Sequence, residues 1–364
     1  MRKFKKAYQI ELTLLGPVFI GSGEILNSKE YVFRPRGNKI QVMDAKMMFK
    51  DLIKLGLGNQ LEKYMVDKSD KTDLLRWFDK MRIKENTWKK WVRYDMSAGS
   101  AVLDYKSKNN INLCIKSPYG EPYIPGTSLK GALKNIIFSE MISSDSKLKK
   151  NIQNKINRTN SNRRRYLSRE ERQLIEDTEK YLNMDDIIIR DSEPLSTDCL
   201  VLSKKRDLKA GLSPDRKSEL NLVRECIKPG TKVKFDVIIG DEFPYSIEDI
   251  ENMMNKWFKH YSDVFLSKFK YKTKGKPGKD AIMYLGGGTG FVSKTIMYSV
   301  FDGREAVTQT MKVFEETIGK HYRDHKHYKD DKEYKISPHM VKITELNKEN
   351  LEFGMCKLSS VKEI

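Results

Sequence analysis

A chain of 364 residues with 69 Lys and Arg against 50 Asp and Glu carries a formal charge of +19, with a sequence pI near 9.5. That length supports one large domain or two ordinary ones, and that charge favours a polyanionic partner, nucleic acid ahead of an anionic membrane. No apolar run approaches the roughly 18 residues that span a bilayer, and no long helix sets a Lys/Arg face against an apolar stripe, so no membrane partner is expected.

The start, "MRKFKKAYQIELTLLGPVFIGSGE", has the basic-then-apolar order of a signal peptide. Gln9 and Glu11 interrupt the apolar part, however, and the alternation of "YQIELTLL" predicts a strand over 8–15. The strand ends at Gly16-Pro17, and the Gly-Ser-Gly of 21–23 predicts a turn carrying Ser22 and Gly23. "YVFRPRGNKIQVMD" predicts a hairpin turning at Pro35 to Asn38. Helical patterns follow at about 44–57 and 61–82, separated by Gly56 and Gly58. "INLCIK" reads as a strand. In "YIPGTSLKGALKNIIF", residues 123–138, Leu129, Leu133, Ile136 and Ile137 fall on one helical face, with Met141 beyond them. Lys130 and Lys134 lie off that face, and Thr127 or Ser128 is the expected N-cap.

Composition then shifts. Residues 144–172 hold ten Lys/Arg against three Asp/Glu, which predicts a basic, partly helical insertion. "DDIIIRDSEP" and "STDCLVLSK" predict strands; "KKRDLKAGLSPDRKSEL" reads as a connection; "NLVRECIKPGTKVKFDVIIG" reads as two strands divided by a Pro-Gly turn. "SIEDIENMMNKWFKHYSDVFLSKF" predicts a helix burying Ile247, Ile250, Met254, Trp257 and Phe258. A basic loop and apolar "AIMYL" precede "GGGTGFVSKT". A helix near 304–319, a His-rich polar link, and strands in "MVKITEL" and "LEFGMCKL" close the chain. Without the insertions the order is strand, helix, strand, strand, helix, strand. That is the split βαβ order of ferredoxin-like and RRM-type domains.

Several motifs carry candidate chemistry, each beside a plainer alternative. A helix N-terminus offers unsatisfied N–H groups and partial positive charge. Gly126, Thr127, Ser128 and Lys130 would therefore cradle a phosphate, or would simply cap a helix with solvated lysines. "LGGGTGFVSKT" ends in the Lys294-Thr295 of a P-loop, but Ser293 stands where glycine is required. Its glycines permit close approach to a ribose-phosphate chain, or a bent strand. Arg163, Arg164 and Arg165 beside Tyr166 form a phosphate grip with a stacking ring, or a solvated loop. Asp191, lacking a nearby histidine, reads as a residue that caps a turn or pairs with lysine. His321, His325 and His327 have no completing ligands, so no metal is expected. The four cysteines lack paired or zinc spacing and read as reduced core residues of a cytoplasmic protein. The first 259 residues hold no histidine, which counts against a histidine-based ribonuclease centre there.

Taken together, "LTLLGPVFIGSGE", "YIPGTSLKGALK", "IIIRDSEP", "LVRECIKPGTKVKFDVII" and "LGGGTGF" resemble the RAMP superfamily of CRISPR-associated proteins, with "PGTSLKGAL" the most specific phrase. The chain length and "ISPHMVKITELNKENLEFGMCKL" narrow the resemblance to the Csm family of type III-A effector subunits. It runs from about 8 to 358, with no matching motif at 44–110 or 143–182. The resemblance implies an α+β fold: a ferredoxin-like/RRM-like (RAMP) core over 1–300 with helical and basic insertions, and a C-terminal helix-plus-strands lobe over 301–364, whether an addition or part of a second RRM-like half. It implies a non-catalytic subunit capping the complex at the 3′ end of the guide crRNA and supporting maturation of that end in antiviral defence. The implied partners are crRNA and target RNA, the backbone RAMP subunit and transiently bound nucleases, with no cofactor. Carried onto this chain, the RNA-contacting positions are Ser22, Gly23, Gly126, Thr127, Ser128, Lys130 and Gly131, joined by Gly286, Gly287, Gly288, Thr289 and Gly290. The candidate interface from the residues themselves adds Lys134, Arg163, Arg164 and Arg165. Where many relatives continue the loop with arginine and glycine, this chain has Phe291-Val292-Ser293, so the loop meets RNA or a neighbouring subunit. Some RAMP relatives are endoribonucleases, which is the alternative activity; a purely structural subunit is a third reading.

Overall fold

The computed structural model describes residues 5–34, 37–67, 69–70, 72–99, 110–159, 182–212, 218–324 and 326–364. Its first sheet is built on β1 (Lys6–Leu14), where strict alternation buries Tyr8, Ile10, Leu12 and Leu14. β10 (Lys232–Ile239) alternates in step and pairs antiparallel with β1, setting Ile10 opposite Phe235 and Leu12 opposite Val233. Two helices cover this apolar face. α5 (Gly126–Ser144) buries Leu129, Leu133, Ile136 and Ile137; α7 (Ile247–Val264), opened by a Ser246/Asp249 capping box, buries Ile250, Met254, Trp257 and Phe258. Both stripes are the ones the helical spacing predicts.

The sheet order is β11-β14-β1-β10-β7, with β7 at Ile187–Ile189, β11 at Ile282–Tyr284 and β14 at Met355–Glu363. All of its pairs are antiparallel. Counted along the chain, β1, α5, β7, β10 and α7 follow the split βαβ order, but the strand completing the set beside β1 is β14, from the far end of the sequence. "AIMYL", in the expected place for that strand, forms β11 one position further out. Ninety residues thus intervene between the second helix and the strand it serves.

The second sheet runs β2-β6-β9-β8-β5-β4-β3. Its members are β2 (Gly21–Leu26), β3 (Tyr31–Arg34), β4 (Lys39–Met43), β5 (Val92–Ser97), β6 (Ile111–Cys114), β8 (Leu200–Lys209) and β9 (Ser218–Ile227). β12 (Met340–Leu346) attaches to β8 and to β13 (Glu349–Glu352). The residues beyond 301 therefore supply strands to both sheets. "KKRDLK", read as connection, continues β8, because β12 pairs with it and the stretch buries Asp207 and Leu208. The Gly-Ser-Gly of 21–23, read as a turn, lies in the exposed strand β2, whose register with β6 slips between Gly21 and Ile25.

The helical insertion is α1 (Ala45–Lys54), α2 (Gly58–Val66), α3 (Leu74–Lys80) and α4 (Glu85–Trp88) around a separate aromatic core, with Tyr64 stacked on Trp77 at 5.0 Å. The single helix expected over 61–82 breaks because Asp67 and Asp70 turn back onto the amides of Ser69 and Thr72, both at 2.8 Å, and Asp73 then caps α3. α6 (Ser146–Thr159) is the described part of the basic insertion. The His-rich stretch, read as a polar link, folds as α10 (Lys320–Asp324) and α11 (His327–Tyr334), following α8 (Met297–Val300) and α9 (Gly303–Ile318). All four cysteines are buried free thiols, and no described helix is long and apolar enough to cross a membrane.

Half-buried Glu140 on α5 has its carboxyl pushed up from 4.5 to about 7 by burial, against the opposing pull of Lys256. The folded protein therefore holds a proton between these values that the unfolded chain releases, and stability falls as pH rises through that window. Glu140→Gln is expected to match the wild type near pH 4.5 and to melt higher at pH 8. Equal melting differences at both pH values would rule out this origin.

Candidate nucleic-acid interface

The tip of α5 is not an open cradle. The helix starts at Gly126 with Pro125 as its N-cap, so Thr127 and Ser128, the expected caps, lie inside the first turn. The acceptor comes from across the fold: the Asp191 carboxylate takes the Gly126 N–H at 2.8 Å. Ile124 and Ser192 tie the same two segments, with Ser192 N–H donating to Ile124 O at 3.0 Å and Ile124 N–H donating to Ser192 Oγ at 2.9 Å. A Cβ at Gly126 would stand 2.2 Å from Ile189 O and 2.6 Å from Arg190 O. The close backbone approach that glycine permits here is to the protein's own strand β7. Thr127 and Gly131 are exposed on the outer side, and Lys130 is partly so. Burial first, and the charge of Lys130 second, hold the Lys134 ammonium below its ordinary pKa.

The glycine-rich loop is wedged between two other turns. Gly287 N–H donates to Phe19 O at 2.7 Å, and Leu285 N–H donates to Gly354 O at 2.8 Å. A Cβ at Gly286, where φ is +77°, would lie 2.2 Å from Phe19 O. Thr289 is buried, and Ser293 Oγ donates to Thr289 O at 3.0 Å, so the Phe291-Val292-Ser293 insertion is a folded 3₁₀ turn. Lys294 is exposed along its stem, yet its ammonium turns back to Gly286 O at 2.5 Å; crowding there and the charge of Arg224 lower its pKa.

The fold brings these two motifs together. Asn135 of α5 donates to Ser293 O at 3.5 Å, and Gly131, Lys134 and Asn135 face Lys294 and Thr295 across a cleft of about 200 Å³. Ser22 and Gly23 lie on exposed β2, three and four residues past Phe19, with the Ser22 hydroxyl donating to Leu113 O at 3.3 Å. Arg163, Arg164 and Arg165 fall outside the described residues, as does His325. Among the described residues no group of three metal-ligating side chains converges. His339 is buried against Asp331, with Nδ1 at 2.6 Å from its carboxylate, and His260 Nε2 meets Tyr298 O at 2.9 Å.

Sequence reasoning passed over Arg224 of β9. A Cβ at Gly288 would stand 2.2 Å from its Nη1, which places its guanidinium directly beside the loop. The available signal was a charged pair, Arg224-Glu225, inside the apolar run "LVRECI". Glu225 points the other way, accepting from Tyr94 Oη at 2.6 Å, from Cys114 N–H at 2.9 Å and from the Lys116 ammonium.

Three comparisons bear on this arrangement. The family model described as RAMPs, RAMP superfamily, matches residues 11–293. The protein named CRISPR system Cms protein Csm5 from Enterococcus italicus is 26% identical over 325 residues, covering 81% of each chain. Its namesake from Mycobacterium tuberculosis is 27% identical over 391 aligned positions, covering 99% of each. Among solved structures, a chain of a cryo-EM Csm–crRNA–target RNA ternary complex of a type III-A CRISPR–Cas system superposes with a TM-score of 0.63 at 16% identity, covering 97% of this chain and 100% of that one.

Removing the internal anion at the α5 tip tests its role. Asp191→Ala is expected to cost about 1 kcal/mol in urea denaturation, while affinity for heparin does not fall. An unchanged midpoint would show that the tip needs no carboxylate.

Proposed function

The chain belongs to the RAMP superfamily, and from that premise we propose that it is an RNA-binding subunit of a type III-A CRISPR effector complex. In this reading it is not itself an enzyme. It caps the complex at the 3′ end of the guide crRNA, beside the backbone RAMP subunit, and supports maturation of that end by separate nucleases. The observation that carries the reading is the meeting of α5 and the glycine-rich loop, more than 150 residues apart in sequence, at one cleft with Lys134 and Lys294 on its two walls. The names of the relatives and a net charge of +19 support it.

A guide of varying sequence has to be held by its backbone. Phosphate contacts fix position without reading bases. Gly131 and Lys134 of α5 and, after the glycines, Lys294 and Thr295 offer such contacts on either side of the cleft, with Lys130 one residue before Gly131. Arg163, Arg164 and Arg165, outside the described residues, are proposed as further phosphate contacts, as are Ser22 and Gly23. Since Asp191 already occupies the Gly126 amide, the grip at α5 is assigned to the lysines along its side rather than to its tip.

Two expected outcomes check the reading. Lys130→Ala with Lys134→Ala should weaken crRNA retention in the assembled particle and flatten the dependence of log K on log salt by about 0.7 for each phosphate that is no longer neutralised. RNA crosslinks should fall in peptides 123–138 and 285–295; crosslinks confined elsewhere would leave a purely structural subunit. Separately, the purified chain with labelled guide precursor, with and without Mg²⁺ or Mn²⁺, should leave the RNA intact. Specific cleavage that one substitution abolishes would instead establish an endoribonuclease.

A further inference from the structure

Among the described residues Arg224 is a cation without a counter-charge. Its guanidinium lies over the Phe19 ring at 4.9 Å and is 5.9 Å from the centroid of Phe353, between two turns that belong to opposite ends of the chain. Nη1 is buried with no hydrogen-bond partner, although the residue as a whole is only partly buried. A buried donor left unmatched is costly, more so when charged. The neighbours deepen the mismatch. Burial and the charges of Lys342 and Arg224 hold the Lys205 ammonium down at about 8, opposed by Asp207. Asp207 is itself engaged by Lys342 at 2.7 Å. Lys294, the third cation near Arg224, bonds only a carbonyl. Among the described residues no carboxylate forms an ion pair with Arg224, Lys205 or Lys294.

We infer that Arg224, with Lys205 and Lys294, forms an oxyanion site for a backbone phosphate of single-stranded RNA beside the glycine-rich loop. This rests on the RNA-binding reading above and locates one of its contacts on the second sheet, away from the α5 tip. The chemistry fits a phosphate in three ways. A guanidinium offers paired N–H donors in one plane, matching two phosphate oxygens. The flanking phenyl rings hold that plane without consuming any N–H. The excess of positive charge, unmatched within the protein, is supplied with its counter-charge only when an anion arrives.

The test uses the purified full-length chain and single-stranded RNA oligonucleotides of mixed sequence, with affinity measured across a salt series. Arg224→Gln should raise Kd roughly ten- to hundredfold at low salt, equally for all sequences, and reduce the salt slope by about 0.7. Lys205→Ala, which leaves the ring packing intact, should shift both quantities in the same direction by less. Without RNA, Arg224→Gln should melt no lower than the wild type, because it removes an unmatched buried charge. Wild-type binding with an unchanged slope in both variants would overturn this site and leave the broader reading standing. A lower melting temperature with unchanged RNA affinity would make Arg224 a packing residue only. Failure of the wild type to bind RNA would overturn the broader reading and this site with it.

Discussion

The architecture around the candidate interface depends on a three-way backbone seam at one end of the first sheet. Turns at 15–19, 285–287 and 353–355 exchange main-chain hydrogen bonds: Gly354 N–H to Pro17 O at 2.8 Å, Leu285 N–H to Gly354 O at 2.8 Å, Gly287 N–H to Phe19 O at 2.7 Å, and Gly16 N–H to Met355 O at 3.0 Å. Main chains this close leave no room for side chains. At Gly354, where φ is +76°, a Cβ would stand 2.2 Å from Leu285 O. The seam forms only because β14 inserts between β1 and β11, so the shape of the glycine-rich loop is fixed by a strand seventy residues further on. A loop held on both sides in this way is shaped in advance, so that any ligand it took would cost little ordering entropy.

The seam also explains how legible this molecule was in its sequence. Local periodicity carried far: the alternation of β1, the apolar stripes of α5 and α7, and the strand in "MVKITEL" stand where their patterns put them, whereas "LEFGMCKL", read as one strand, is divided at Phe353-Gly354 between β13 and β14. Those signals are written within ten or twenty residues. Strand partnership is not, and nothing in the apolar run "AIMYL" shows that β14 rather than β11 lies beside β1. Glycines were legible as sites of close approach but not as to what approaches them. Gly126 meets the end of β7 and Gly286 meets Phe19, each a contact within the fold rather than with a ligand. Asp67 and Asp70 gave no apolar signal, and their turns onto neighbouring amides broke a helix that periodicity joined.

Charge was legible in amount and not in arrangement. The sequence shows an excess of +19 but does not say which cations are answered. At α5 the fold sends a carboxylate, Asp191, to the one place where a helix N-terminus would most readily hold an external anion. At β9 it does the reverse, leaving Lys205 and Lys294 close enough for the charge of Arg224 to lower their pKa values and engaging Asp207 with Lys342. The unanswered positive charge thus moves from the helix tip, where a motif-based reading places it, to the sheet beside the loop.

How that charge stays unanswered follows from the turn between β13 and β14 and from the alternation of β9. Glu352 and Phe353 are adjacent, and an acid beside Arg224 would neutralise it. β13 ends at Glu352 and the chain turns at Phe353-Gly354, which parts the two side chains. Glu352 turns into the core, where burial raises its carboxyl pKa and Tyr284 donates its hydroxyl to it; Phe353 turns to the other side and presents its ring to Arg224. Glu225, the sequence neighbour of Arg224 itself, is divided from it by the alternation of β9 and is held by Tyr94, Cys114 and Lys116 on the far side of that strand. Two carboxylates, one beside Phe353 and one beside Arg224 itself, are kept from the guanidinium, the first by the turn after β13 and the second by the alternation of β9, and it is this separation that leaves Arg224 able to take a phosphate.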